Sequence, residues 1–205
     1  MTSSSSHLDF FLGFLRHPAR VGSVIPSSRF LERQIVTAAD LAHARCVVEL
    51  GPGTGGTTRA LLRAMRAEAK LLTIELDDQF SAKLAAIGDS RLINHTGSAA
   101  DLLAILEQHQ LSDVDVVVSG IPFSTLPPAV SAAVLQAVQA ALSPGGRFVA
   151  YQFRSHVARL AEPVFGPAQA VSRAWLNVPP MRCYQWTTAP AAATTSRSTT
   201  VAMPK

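Results

Sequence analysis

Glu49, Gly51, Gly53, Gly55 and Glu75 are the residues of this chain best suited to chemistry. Cys46-Val47-Val48-Glu49-Leu50 is apolar up to its acid, and Gly51-Pro52-Gly53-Thr54-Gly55-Gly56 then breaks the run. A buried strand that ends in a glycine turn lets backbone come close to a ligand. The sequence predicts a helix from Thr57 to Ala69 next, so the unit is strand, glycine turn, helix. Such a unit holds a nucleotide-like group at the carboxyl end of a parallel sheet. Glu75 lies 24 residues beyond Gly51, close to the spacing at which an acid accepts hydrogen bonds from ribose hydroxyls.

Two glycine grammars fit these letters. Gly51, Gly53 and Gly56 satisfy the G-x-G-x-x-G of dinucleotide enzymes. Glu49 with Gly51, Gly53 and Gly55 satisfies the E-x-G-x-G-x-G of S-adenosylmethionine (SAM) methyltransferases. Both cofactors carry a ribose, so Glu75 does not separate them. Glu49 favours SAM, because an anion beside the glycines suits an ammonium and a sulfonium and repels a pyrophosphate. No acid/base pair for hydride transfer follows downstream. The third strand should end at Thr96-Gly97-Ser98-Ala99-Ala100-Asp101 and supply adenine contacts. SAM methyltransferases often carry Asp at the position of Ser98; a serine there makes a weaker bond to the adenine amino group, and Asp101 is an alternative cap for the following helix. The expected cofactor set is Glu49, Gly51, Gly53, Gly55, Thr57, Glu75, Leu76, Gly97, Ser98, Ala99 and Ser119.

The elements that must position these residues alternate. Strands are expected at Cys46–Leu50, Leu71–Leu76, Arg91–Asn94, Val114–Ser119 and Arg147–Phe153. Helices are expected at Thr57–Ala69, Asp78–Ala86, Ala99–Gln108 and Ala129–Leu142, with Ser143-Pro144-Gly145-Gly146 as a turn. Repeated βα units mean an α/β Rossmann-like fold, a mostly parallel sheet with helices on both faces. Ala170–Leu176 and Met181–Thr187 read as two more strands joined by Asn177-Val178-Pro179-Pro180. Upstream, Leu8, Phe11, Leu12 and Leu15 fall at helical spacing, with Phe10 and Phe14 widening the stripe, and Pro18 ends that helix. Ser27 or Ser28 then caps a helix from Arg29 to about Ala42, with Glu32 in its first turn.

Strand four runs into Ser119-Gly120-Ile121-Pro122-Phe123, beside the expected methyl group. Here the chain resembles two related families. The ribosomal RNA adenine dimethyltransferases carry Asn-Leu-Pro-Tyr at this place, after an Ile-Glu-Leu-Asp strand like Ile74–Asp77. The bacterial phospholipid N-methyltransferases, which convert phosphatidylethanolamine toward phosphatidylcholine, carry Ser-Gly-Leu-Pro, and Ser119-Gly120-Ile121-Pro122 is similar to that form. The resemblance implies a class I methyltransferase fold whose seven-stranded sheet finishes in an antiparallel pair. It implies an acceptor loop of Ser119, Gly120, Ile121, Pro122 and Phe123, with no clear general base. An adenine amine is flat and weakly nucleophilic and needs a side-chain amide to orient it; Gly120 offers only backbone. Phe123 can stack on a base or line an apolar pocket, and without a polar partner the pocket is favoured.

The N-terminal stretch from Phe10 to Arg29 also resembles the lipid enzymes, in which an amphipathic helix lies on the membrane and the next segment covers the cofactor. The resemblance makes Phe10, Phe11, Phe14, Leu15, Arg16, Arg20, Ser27 and Ser28 the membrane and lid residues. Docking of that helix on the protein's own core is the competing reading. The chain departs from the family after Tyr151-Gln152-Phe153, where Arg154-Ser155-His156 replaces the usual Tyr-Gly-Pro. Two readings stand there for Arg154 and His156: contact with a lipid phosphate, or a solvent-facing loop.

Composition is consistent with this. The chain has 205 residues, 48% of them hydrophobic and 16% charged, with net charge +4. Mean hydropathy is +0.22, yet no apolar run reaches the ~20 residues of a membrane span. Two cysteines give neither a metal spacing nor a disulfide framework. A signal-peptide pattern is missing, so a cytoplasmic, peripherally membrane-associated protein is expected. Expected domains are 1–33 as helix and lid, 34–188 as the catalytic domain and 189–205 as a disordered tail. Expected partners are an anionic membrane surface and an aminophospholipid, with no nucleic acid favoured, since the helical C-terminal domain of the RNA enzymes is not expected. The competing functions are methylation of an RNA adenine or a small-molecule amine, and non-catalytic SAM or membrane binding.

Overall fold

The apolar runs Cys46–Leu50, Lys70–Glu75 and Val114–Ser119 are buried on both faces along almost their whole length, as strands inside a parallel sheet must be. The computed structural model describes residues 28–175, 177 and 180–190. In chain order the elements are α1 (Arg29–Ala39), β1 (Cys46–Leu50), α2 (Gly56–Ala64), β2 (Lys70–Glu75), α3 (Asp78–Ala85) and β3 (Leu92–Thr96). A 3-10 turn (Ala99–Asp101) leads into α4 (Leu102–Gln108), followed by β4 (Val114–Ser119), α5 (Pro128–Ala141), β5 (Leu142–Gln152), α6 (His156–Phe165), β6 (Ala170–Ala174) and β7 (Met181–Thr187).

The sheet has seven strands in the order β3-β2-β1-β4-β5-β7-β6. The first five are parallel, and β7 runs antiparallel to both β5 and β6. This is the expected Rossmann-like class I methyltransferase fold. Strand order reverses between β1 and β4, which opens a crevice at their carboxyl ends, where ligands of such sheets bind.

Alternation along the strands makes two cores. Val48, Leu50, Val117, Phe148 and Trp186 pack with Leu102, Leu135 and Val157 from α4, α5 and α6. Val47, Leu71, Val116, Val149 and Tyr151 pack on the other face with Leu31, Ile35 and Leu61 from α1 and α2. The expected domain boundary between residues 33 and 34 falls inside α1. Leu31 and Ile35 are buried together in one cluster, so the whole helix belongs to the domain.

Several expected ends shift. Helix α1 stops at Ala39 because Asp40 turns left-handed, and α2 stops at Ala64, where Met65 becomes extended. The second strand begins at Lys70 and ends at Glu75, and the third reaches Thr96. Strand β5 begins at Leu142. Its pairing with β4 slips between Val114 and Val116, and this irregularity absorbs Ser143-Pro144-Gly145-Gly146. The last strands confirm the antiparallel finish, with β6 ending at Ala174. Helix α6 was not expected; the loop reading of residues 154–156 gives way to a helix that starts at His156 and contains Pro163.

The expected helix over residues 8–16, the lid residues Phe10, Phe11, Phe14, Leu15, Arg16, Arg20 and Ser27, and the tail from 191 lie outside the described residues. Among the described residues, no helix is long and apolar enough to cross a membrane.

Candidate functional site

The crevice between β1 and β4 is built from three strand ends. β1 delivers Glu49 and the glycine turn, β2 delivers Glu75, and β4 delivers Ser119 and Gly120. Gly51, Gly53 and Gly55 have φ of 67°, 56° and 80°, left-handed values that favour glycine. A Cβ on Gly51 would come within 3.1 Å of Ile121 Cγ1, so the glycine turn and the acceptor loop touch. Gly55 faces away: a Cβ there would meet Leu84 and Ile87. It caps α2 and permits packing against the α3 region.

Glu75 is nearly buried and orders the site through backbone. One carboxylate oxygen accepts from the amides of Leu76 (2.8 Å) and Asp77 (3.0 Å), the other from the amide of Gly53 (2.9 Å). Burial still pushes its pKa above the usual carboxylate range, the three amides pulling the other way. An oxygen with one protein donor keeps a lone pair for a ribose hydroxyl.

Glu49 is fully buried. Its Oε2 accepts from the Thr58 hydroxyl at 2.6 Å, whereas Oε1 has no partner among the described residues. Burial raises its pKa to about 8, opposed by Thr58 and reinforced by Glu75. An orphaned buried acceptor beside a glycine cradle fits a cofactor with a cationic end, and SAM has one.

The acceptor loop is tightly wound. Ile121 N donates to Ser119 Oγ at 3.3 Å, Gly120 N to Leu50 O at 2.9 Å, and Gln152 Nε2 to Ile121 O at 2.6 Å. The Pro122 carbonyl accepts from both the amide and the hydroxyl of Thr125. Phe123 is fully buried among the side chains of the α4–α6 face. It therefore neither lines an open acceptor pocket nor offers a stacking face; this corrects the expectation, because its ring is taken up by the core.

Gly120 is explained by a residue for which no role was expected. A Cβ at Gly120 would collide with the Tyr151 hydroxyl and come within 2.8 Å of Gly51 O. The Tyr151 phenol therefore occupies the space a side chain at 120 would take. Thr57 Oγ1 approaches it at 3.5 Å. Burial first, then the Glu49 carboxyl, pushes its pKa up, so the phenol stays protonated. The available signal was topological: β5 lies beside β4, so a tyrosine at its carboxyl end faces the loop after β4. Thr58 and Gln152 were also missed: Thr58 belongs to no motif, and Gln152 lies in Tyr151-Gln152-Phe153, a stretch that carried no expected role.

At the third strand end, Gly97 N donates to Glu75 O at 2.9 Å. Ser98 Oγ accepts from Ala100 N at 3.2 Å and caps the 3-10 turn, while the Asp101 side chain makes no capping bond. Among the described residues the Ser98 hydroxyl donates to no partner, and Ala99 is buried. Ser28, one of the two serines expected to cap this helix, does cap α1: its Oγ accepts from Leu31 N at 3.3 Å, and its amide donates to Asn177 Oδ1 at 3.1 Å.

Comparison with known proteins places the domain among methyltransferases. Residues 47–146 match the model of a methyltransferase domain. The chain is 32% identical over 149 residues to the ornithine lipid N-methyltransferase of Singulisphaera acidiphila, covering 68% of this chain and 76% of that one. It is 40% identical over 81 residues to ribosomal RNA small subunit methyltransferase A of Laribacter hongkongensis, covering 39% of this chain but only 30% of that one. Among solved structures, the O-methyltransferase TomG of Streptomyces achromogenes in complex with SAM superposes with a TM-score of 0.62 at 19% identity, covering 91% of this chain and 96% of that one. An O-methyltransferase of Bacillus cereus in complex with SAH gives a TM-score of 0.64 at 13% identity, with 92% and 93% covered. These structural likenesses speak to fold.

Proposed function

Because this chain belongs to the class I SAM-dependent methyltransferases, we propose that its acceptor is the amine head group of a membrane lipid. Phosphatidylethanolamine and its methylated forms are the first candidates, acted on at the cytoplasmic membrane surface. The observation behind this reading is position 120. Glycine is required there by the Tyr151 hydroxyl and Gly51 O, so the acceptor meets one phenol and backbone carbonyls. A flexible aliphatic amine is already a good nucleophile once neutral and needs orientation more than activation. A relative that acts on a lipid amine supports the same class.

SAM, when bound, supplies an electrophilic methyl group on a sulfonium. Glu75 would hold the ribose hydroxyls, Glu49 would balance the cationic end, and Gly51 and Gly53 would admit the cofactor close to backbone. Tyr151, kept protonated, accepts a hydrogen bond from the amine N–H and so aims the nitrogen lone pair. Ile121 and the buried residues under the loop keep water out, which strengthens each of these contacts. RNA adenine methylation, suggested by the ribosomal RNA relatives, lacks a side-chain amide at position 120.

The test is incubation with labelled SAM and vesicles holding phosphatidylethanolamine or ornithine lipid, followed by thin-layer separation. Labelled mono- or dimethylated aminolipid is expected. Normal SAM binding with no label in any lipid, but label in ribosomal RNA or a soluble amine, would overturn the lipid reading.

A further inference from the structure

A groove of about 820 Å³ opens beside the acceptor loop, and no step derived above uses it. Four arginines line it, Arg154, Arg159, Arg173 and Arg182, together with Phe153 and Trp175. They come from four segments: the turn after β5, helix α6, and strands β6 and β7. No acid is among the lining residues, and none of the four arginines takes part in the ion pairs of the described residues.

Arg173 and Arg182 are direct cross-strand partners in the β6–β7 pair. Like charges placed opposite each other on one face destabilise a sheet. An anion between them removes that cost. His156 adds a donor: its Nδ1 accepts from the Arg159 guanidinium at 2.9 Å, so the ring proton sits on Nε2. The N-terminal turn of α6 lies at the same place, and its N-cap residue Ser155 makes no side-chain cap. Unsatisfied amides and the helix dipole there also favour negative charge.

The rim is apolar. Trp175 and Phe153 are 66% and 54% exposed, among the most exposed large hydrophobic residues described. Arg173 stacks over the Trp175 ring at 5.3 Å, which steadies the indole at the surface. An aromatic rim over a cationic floor matches the boundary between acyl chains and head groups. The groove also continues the acceptor site. Ser124, which lines it, follows Phe123 directly, and Gln152, which holds Ile121 O, precedes Phe153.

We propose that this groove binds the oxyanion of the acceptor lipid's head group, phosphodiester or carboxylate, with Trp175 and Phe153 seated in the bilayer interface. The inference rests on the lipid-amine reading and specifies it. The amine then reaches Tyr151 while the anionic group stays on the arginines, which selects lipids that carry both charges near each other.

The experiment compares the full chain with R173Q/R182Q, R173K/R182K and W175A. Two readouts run on the same vesicles, in phosphatidylethanolamine and ornithine-lipid series: co-sedimentation of SAH-loaded protein, and methyl transfer. R173Q/R182Q is expected to raise KM for the lipid roughly tenfold to a hundredfold, the effect of losing hydrogen bonds to a charged group. It should also lose vesicle binding, while SAM affinity by calorimetry reports an intact fold. R173K/R182K should recover part of the loss, and W175A should weaken sedimentation. Loss confined to one lipid series assigns the oxyanion as phosphodiester or carboxylate; loss in both assigns the shared chemistry. Unchanged KM and sedimentation in R173Q/R182Q overturn the groove proposal and leave the lipid reading intact. Arginine-dependent sedimentation with no transfer to either lipid overturns the lipid reading instead.

Discussion

Glu49 and Tyr151 set the chemistry of the site, and both are governed by burial. Glu49 keeps its proton up to about pH 8 in the fold, whereas its ordinary value is 4.5. A folded-state pKa above the unfolded one means that its contribution to stability is present below pH 4.5 and is lost as pH rises to about 8. Glu49→Gln should therefore flatten the fall in thermal stability of the ligand-free protein over that window, as read by melting temperature against pH. A cation bound beside Glu49 favours its ionised form, so SAM binding below pH 8 should release a proton, visible by calorimetry in buffers of different ionisation enthalpy; Glu49→Gln should abolish that release and weaken binding. At the acceptor loop, Gly120→Ala forces its methyl into the Tyr151 hydroxyl and should cost about 1–3 kcal/mol of stability together with most of the activity. Tyr151→Phe should bind SAM normally and lose roughly ten- to a hundredfold in turnover through the missing hydrogen bond. A double-mutant cycle should show the two positions coupled rather than additive. Glu49, Glu75 and the glycines were legible because their types and spacing suit one ligand chemistry. Tyr151 was not, since its role depends on which strands are neighbours.

The elements were legible where local pattern and tertiary context agree. β1 and β4 are short apolar runs with sharp ends, and their bounds are those the sequence predicts. Helix α6 was missed because Pro163 interrupts its pattern; the helix persists because Val157 and Ala161 are buried against the sheet. The β5 start was missed because its glycine turn is absorbed into the strand as an irregularity and tied to the chain beyond β7, with Thr188 N bonded to Gly146 O and Gly145 N to Ala189 O. Helix α1 has a specific cap, and Ser28→Ala should lower stability by about 1 kcal/mol, measured by denaturant unfolding. Cofactor affinity should change little, since the cap holds no part of the crevice.

At the scale of the molecule, the sheet separates two rims. The carboxyl rim gathers the glycine turn, the acceptor loop and the arginine groove, and Ser28 is bonded there to Asn177 in the β6–β7 connection. The opposite rim holds the start of β5 and the end of β7, joined through Gly145 and Ala189. This polarity decides how the protein tolerates cargo. A fluorescent reporter inserted directly after Pro190 stands on the far rim and should leave methyl transfer on vesicles near its unfused rate. The same reporter inserted directly before Ser28 stands beside the groove and should act as a spacer between protein and bilayer. Turnover on vesicles should fall in that fusion while SAM affinity holds. Equal turnover in both fusions would mean that the carboxyl rim does not face the membrane.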